Sequence, residues 1–248
     1  MIKRFFNYLF SNKQNAAEQT SDTATAAAAT ATDVIKTNFV KDANTSSIAD
    51  IIKQRTSANN FDPTHVLSNS EIEELVNLAI ESPTSFNMQN WRVVAVSSAA
   101  AKVELQALAY GQAKVKDAAV TFAFIGKLNG YQDLPRIVQP LLDAKAIDQA
   151  AYDGWIGMAT GMYEGNPQNQ RDEAIRSASF AAMTLIYAAQ DRGLVSGAMI
   201  GFDPAGVAKS LGLGENEFPV LLLAVGKAAE GNWPRKPRKQ INEVLSVK

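Results

Sequence analysis

The chain has 248 residues, enough for one large domain or for one ordinary domain with an extension. Hydrophobic residues make up 46% and charged residues 20%, with a net charge of -1, so a sizeable core is possible and nothing in the total favours a nucleic-acid partner. Cysteine is absent and His65 is the single histidine, which excludes disulfides, thiolate nucleophiles and Cys-based metal sites and leaves too little for a His-based zinc site. A Ser-His-Asp hydrolase would have to use His65, but no Gly-x-Ser-x-Gly elbow is there to pair with it. The Pro-Thr-His stretch reads as a turn with a solvated histidine. If the chain is an enzyme, the hard chemistry belongs to a bound cofactor.

Residues 1–10 place Ile2, Phe5, Phe6 and Leu9 on one helical face beside Lys3 and Arg4. This apolar stretch is too short for a membrane span or a secretory signal, which leaves a weak interfacial anchor or a frayed terminus. Residues 16–32 are almost entirely Ala, Thr, Ser and Gln, with no large apolar side chain to offset ordering entropy, and read as a linker. Residues 1–44 are therefore expected to be a largely disordered extension, and residues 45–248 the folded domain.

Within that domain, Ser47 with Asp50 and the spacing of Ile48, Ile51 and Ile52 predict a helix to about Arg55. Ser70 with Glu73 predicts a second helix carrying Ile72, Leu75, Val76 and Ala79, stopped by Pro83. Arg92 to Val96 and Val120 to Ile125 read as strands, with a helix over Ser98 to Ala109 between them. A long helix is expected over Arg171 to Arg192 with Gly193 as its C-cap, then a strand at Leu194 to Ile200. Asp203-Pro204 starts a short helix ending near Gly212, and the apolar run Pro219 to Val225 suits a central strand covered on both faces. This order of elements suits an α+β sandwich, helices against one central sheet.

Nucleotide-loop motifs fail. Gly212-Leu213-Gly214 lacks a third glycine and follows a helix; Gly201 and Gly206 have P-loop spacing, but Val207 stands where Lys is needed. Three polar clusters remain. Arg55-Thr56-Ser57 could bind a phosphate, or Arg55 could merely complement a helix C-terminus. The loop Ser82-Pro83-Thr84-Ser85-Phe86-Asn87-Met88-Gln89-Asn90-Trp91 is dense in donors and acceptors between a helix and a strand; it suits a ligand's hydroxyls and ring edge, or is an ordinary polar loop. Gly231 to Lys239 carries four basic residues between prolines, a phosphate cradle or a solvated basic tail.

Taken together in order and spacing, these clusters resemble the nitroreductase family. The matching elements are Arg55-Thr56-Ser57 with Phe61, then Ser82 to Trp91, Gly201-Phe202-Asp203 and Arg235-Lys236-Pro237, over about Ile48 to Val247. The resemblance implies a nitroreductase-like α+β fold with a mixed, mostly antiparallel sheet, an intertwined homodimer in the cytoplasm, and FMN at the subunit interface. Arg55, Ser57 and Arg235 would grip the FMN phosphate. Thr56 would lie against the flavin or ribityl chain, and Pro83, Thr84, Ser85 and Asn87 would approach the flavin, partly from the partner subunit. Lys114 matches a lysine near the pyrimidine edge, and backbone groups of Ile200 and Gly201 would face flavin N5 and O4.

Four positions depart from the family pattern. Asn59 stands where a basic residue is common, Asn90 where proline is usual and Ile200 where some members have Glu. Trp233 replaces a phosphate-binding Lys, leaving Lys236 or Arg238 as substitutes. The implied reaction passes a hydride from NAD(P)H through flavin N5 to a nitroarene, a quinone or an activated alkene. Reductive dehalogenation, flavin breakdown, or a non-catalytic flavin-binding or membrane-docking role through residues 1–10 compete with it. The segment Leu128 to Asn169 is expected to be a variable lid, where Tyr131, Trp155, Met162 and Tyr163 either stack on aromatic acceptors or pack the lid.

Overall fold

A computed structural model of the chain describes residues 47–248. The readings of residues 1–10 and 16–32 lie outside them. Helix α1 (Ile48–Gln54) starts from a capping box in which Ser47 and Asp50 bond each other reciprocally, and α2 (Asn69–Ile80) does the same with Ser68 and Glu71. The expected pair for α2, Ser70 and Glu73, is wrong by two residues: both patterns exist in the sequence, but the chain turns helical one residue after Ser68. His65 is not simply solvated, because its Nε2 is enclosed without a hydrogen-bond partner among the described residues.

Four strands, β1 (Trp91–Val96), β2 (Val120–Lys127), β3 (Val195–Met199) and β4 (Glu217–Gly226), form one sheet in the order β1-β2-β4-β3. Every ladder in it is antiparallel; the parallel pairing among the described residues is a single bridge from Ser57 to Ser196 on β3. The two central strands are the apolar runs of the sequence, and side-chain alternation explains why they are apolar throughout. Phe122, Phe124, Leu223 and Val225 face a core shared with α2 and with α7 (Pro167–Asp191). Ala123, Ile125, Leu222 and Ala224 face a second core on the other side. That core is built with α3 (Ala99–Leu108), α4 (Ala113–Asp117) and α8 (Pro204–Ser210), through Leu105, Val115 and Val207.

Helix α7 lies close on the sheet because its buried stripe is small: Ala174, Ala178, Ala181, Ala182 and Ala189 leave room for Phe122 and Phe124. It begins at Pro167, four residues before the expected Arg171, from an Asn166 cap whose side chain accepts from the Asn169 amide. Its polar first turn carries no apolar period to read. Gly193 at φ 71 ends it as expected. The expected lid segment is a helical hairpin, α5 (Leu134–Asp143) and α6 (Gln149–Tyr163), with its own small core of Met88, Tyr131, Leu134, Val138, Ala159 and Tyr163. Tyr131 and Tyr163 are thus packing residues, whereas Met162 stays 44% exposed.

β1 is tied to the start of β4 by a two-pronged bond from Arg92 to Glu217, at 2.6 and 2.8 Å. The Arg92 guanidinium holds the Glu217 carboxyl down to about 2. Its contribution is therefore complete above the ordinary value of 4.5 and is lost as pH falls through about 2. With Arg92 partly exposed, screening limits it to about 1 kcal/mol. In urea titrations Glu217→Gln is expected to be less stable than wild type by that amount at pH 7, with the gap closing near pH 2.

Gly197 on β3 is required by close approach: a Cβ there would fall inside contact distance of the Ala58 carbonyl oxygen. Gly197→Ala should cost about 2 kcal/mol, lowering Tm by roughly 4–8 °C. Gly157→Ala, where an added Cβ meets open space inside α6, should instead gain about 0.5–1 kcal/mol, and calorimetry of the pair checks both signs.

Candidate functional site

The N-terminal cluster is fixed by β3. After α1 the backbone leaves the helix at Arg55, Ser57 bridges Ser196, and the Ala58 amide donates to the Ser196 carbonyl at 2.8 Å. The C-terminal cluster is laid against this segment by Asn232. Its Oδ1 accepts from the amides of Asn59 and Asn60 at 2.8 and 3.0 Å, and its Nδ2 donates to the carbonyls of Asn60 and Ala229 at 2.7 and 3.0 Å. The signal for this staple was weak: a lone Asn in Gly-Asn-Trp-Pro announces a turn, not a partner more than 170 residues away.

These contacts bring Thr56, Ser57, Pro234, Arg235, Lys236 and Arg238 around a cavity of about 40 Å³. At the 10–15 Å³ that one water needs, it has room for about three, the size class of a tetrahedral oxyanion. Arg55 donates to the Ser57 hydroxyl at 3.4 Å. The helix C-terminus considered for Arg55 is served instead by Arg235, which donates to the carbonyls of Ile52 and Lys53. That leaves part of the Arg235 fork for the cavity. Lys236 and Arg238 both reach it, and Trp233 is 67% exposed and lines none of it.

Lys114 stands on α4 beside this crevice, with Nζ 3.4 Å from the Asn59 Oδ1 and its stem against Gly197. Burial, reinforced by the positive charge of Lys236, holds the amine below the ordinary lysine value. An anion in the crevice would relieve that repulsion. The turn at Ile200 and Gly201 reaches the same region: Gln112, at the start of α4, donates to the Gly201 carbonyl at 2.7 Å, and Ile200 is 80% exposed. α4 thus connects Asn59, through Lys114, with the Ile200-Gly201 turn, through Gln112.

Pro83, Thr84, Ser85 and Asn87 do not join them. Among the described residues no hydrogen bond, ion pair or cavity wall links the loop Ser82 to Trp91 with that crevice. The topology explains it. Trp91 opens β1 at one edge, opposite Gly126; Ser57 lies beyond β3 at the other edge, beside Ser196, which pairs with Val225 and through it with Val120 near the far end of β1. Four interstrand spacings and about six residues of strand separate them, on the order of 25 Å along the diagonal.

The loop itself is strained and braced. Phe86, Asn87 and Gln89 have φ of 53, 57 and 48°, left-handed values that cost non-glycine residues about 1–2 kcal/mol each. Thr84 Oγ1 accepts from the Gln89 amide at 3.0 Å, Ser82 shares a hydroxyl bond with Thr184 at 2.7 Å, and Trp91 packs 6.1 Å from Phe124. Asn90, in place of the usual proline, is buried under Gly130, and its Oδ1 has no hydrogen-bond partner among the described residues. Two further residues, Glu173 and Tyr163, hold Ser85.

The family model described as "Nitroreductase family" matches residues 52–227. The chain belongs to the nitroreductase family. The chain is 31% identical over 197 residues to MhqN of Bacillus subtilis (strain 168), a candidate NAD(P)H nitroreductase by name, covering 79% of this chain and 96% of that one. Protein DrgA of Synechocystis sp. is 32% identical over 181 residues, 73% of this chain and 84% of its own. Among solved structures, a candidate nitroreductase of Exiguobacterium sibiricum 255-15, in complex with FMN, superposes with a TM-score of 0.75 at 26% identity, covering 82% of this nitroreductase and 98% of the neighbour. No helix among the described residues of this family member is long and apolar enough to cross a membrane.

The Asn232 staple gives a direct test. Asn232→Ala is expected to leave the amides of Asn59 and Asn60 exchanging about tenfold faster, the loss of roughly 1–1.5 kcal/mol of local stability. Hydrogen exchange resolved at those two amides measures it.

Proposed function

We propose that this nitroreductase is an FMN-dependent NAD(P)H oxidoreductase acting as a homodimer on nitroarenes, quinones or activated alkenes. The observation that carries the reading is the convergence of Arg55, Thr56, Ser57, Arg235, Lys236 and Arg238 on one oxyanion-sized crevice, with Lys114 and the Ile200-Gly201 turn beside it. The donor set fits the cofactor: guanidinium forks and hydroxyls for a phosphate, a lysine and backbone groups further in. When bound, FMN supplies the two-electron carrier that takes a hydride from NAD(P)H and passes it to the acceptor.

The chain's own residues then bind and polarise. Arg55, Ser57 and Arg235 would hold the phosphate, with Lys236 and Arg238 in support, and Thr56 would lie against the flavin or the ribityl chain. Lys114, desolvated and repelled by Lys236, places a positive charge where reduction deposits a negative one. Asn59 orients that lysine through its side-chain oxygen, and backbone groups of Ile200 and Gly201 would serve the polar edge of the ring. Pro83, Thr84, Ser85 and Asn87 come from the second subunit, because about 25 Å of sheet keeps one chain's loop from its own crevice. A dimer also gives a partner to the exposed apolar residues Ile48 and Ile52 of α1, Ile80 at the end of α2 and Phe180 on α7, which are 41 to 61% exposed.

Purified protein with FMN should be yellow, bleach with NADPH or NADH and recover with a quinone or nitroarene. A colourless protein that takes up no added FMN would sink the reading. Arg235→Ala should weaken FMN binding about 10- to 100-fold, the loss of one charge-assisted hydrogen bond. Lys114→Ala should lower the reduction rate or FMN affinity about tenfold, and stopped-flow kinetics with titration decide. Wild-type values for both would remove Lys114 from the site.

A further inference from the structure

Ser85 is gripped from both ends by residues that the site as described does not use. Its amide donates to Oε1 of Glu173 at 3.3 Å, and its Oγ accepts from the Tyr163 hydroxyl at 3.0 Å. Glu173 sits in the first turns of α7 and is 6% exposed. A carboxylate so enclosed has to be paired, and it is: Oε2 takes Nε and Nη2 of Arg176, both at 3.0 Å, and Oε1 takes the Ser177 hydroxyl at 3.2 Å. Those partners lie on its own helix. The bond to Ser85 is the one that reaches across to the loop.

Tyr163 ends α6 and is 3% exposed, and its ring meets Phe86 edge-on at 6.2 Å. Burial raises its phenol above the ordinary value, so the group keeps its proton and donates it. Because Ser85 accepts there, its own hydroxyl hydrogen is left to point elsewhere. Directly after Ser85 come the two left-handed residues Phe86 and Asn87. A strained turn persists only where its surroundings over-determine it, and Ser85 is where α6 and α7 do so.

We propose that Glu173 and Tyr163 are positioning residues for the ligand loop. Glu173 sets the backbone of Ser85, and Tyr163 orients its hydroxyl as a donor toward the cofactor of the partner subunit. The inference deepens the proposed function and rests on it for the cofactor, but the clamp itself is testable without one. A fixed donor stabilises an anionic ring more than a neutral one, so it should favour the reduced cofactor.

The test uses Tyr163→Phe, Glu173→Ala and Glu173→Gln in the 248-residue chain. In Tyr163→Phe the ratio of reduced to oxidised FMN affinity should fall about tenfold, a drop of about 30 mV in the two-electron midpoint potential. Loss of packing alone would weaken both forms alike and leave the potential unmoved. In Glu173→Ala the FMN Kd should rise tenfold or more. Glu173→Gln, which keeps an acceptor for the Ser85 amide, should recover most of it. A wild-type potential in Tyr163→Phe, or equal defects in the two Glu173 variants, overturns the proposal. If wild type takes up no FMN, the functional reading fails instead, and hydrogen exchange still decides the clamp: the Ser85 amide should exchange at least tenfold faster in Glu173→Ala, and unchanged exchange rejects it.

Discussion

The order of four strands governs everything else in this molecule. With β1 and β3 at opposite edges, the polar loop that feeds β1 and the cationic segment that caps β3 are held on the order of 25 Å apart. The two central strands leave no freedom to change this, because both of their faces are buried under helices. A binding site that needs both clusters has to borrow one of them from another copy. The rigid sheet thus sets the shape of the crevice, and in the proposed function it is also the reason for a partner.

Each edge is finished differently. At β3 the Ser57–Ala58 segment bonds to Ser196 and lies on Gly197, whose missing side chain lets two backbones approach. Asn232 then fastens the C-terminal segment to the same stretch, so that cations from the two ends of the domain share one crevice. Burial first, and the like charge of Lys236 second, hold the Lys114 amine below its ordinary value. Arg235 contributes to the fold and to the crevice at once, because part of its fork closes the C-terminal end of α1. At β1 the finish is strain: three left-handed residues held by Thr84, Glu173 and Tyr163. Strain and crowded charge stand where a ligand is expected, as for sites that trade stability for preorganisation.

Much of the fold was legible from local signals. Strong punctuation and period placed α1, α3, α8, β2, β4 and the end of α7 within a few residues, because Asp203-Pro204, Gly193 and the apolar runs act locally. The start of α7 and the α5–α6 hairpin escaped, since polar first turns and a self-contained aromatic core have no distinctive period. The choice of Ser68 over Ser70 as a cap could not be read, because two equivalent Ser-x-x-Glu patterns overlap and packing selects one.

For the candidate site, the residue types and their order along the chain were determined by the sequence alone. Arg55-Thr56-Ser57, Ser82 to Trp91, Lys114, Gly201 and Arg235 were found there, and the family with them. Only the tertiary structure decided which of these meet. It joined the first and third clusters through Gly197 and Asn232, put both Lys236 and Arg238, the alternatives named from the sequence, on the cavity wall, and sent the middle loop to the far edge. It also brought Glu173 and Tyr163 onto Ser85: Glu173 looks in sequence like an ordinary helix residue, and Tyr163 stood out there only as an aromatic of the expected lid. The reason is physical: capping and periodicity act over a few residues, whereas strand order, close approach and hydrogen bonds between distant segments arise only once the sheet has formed.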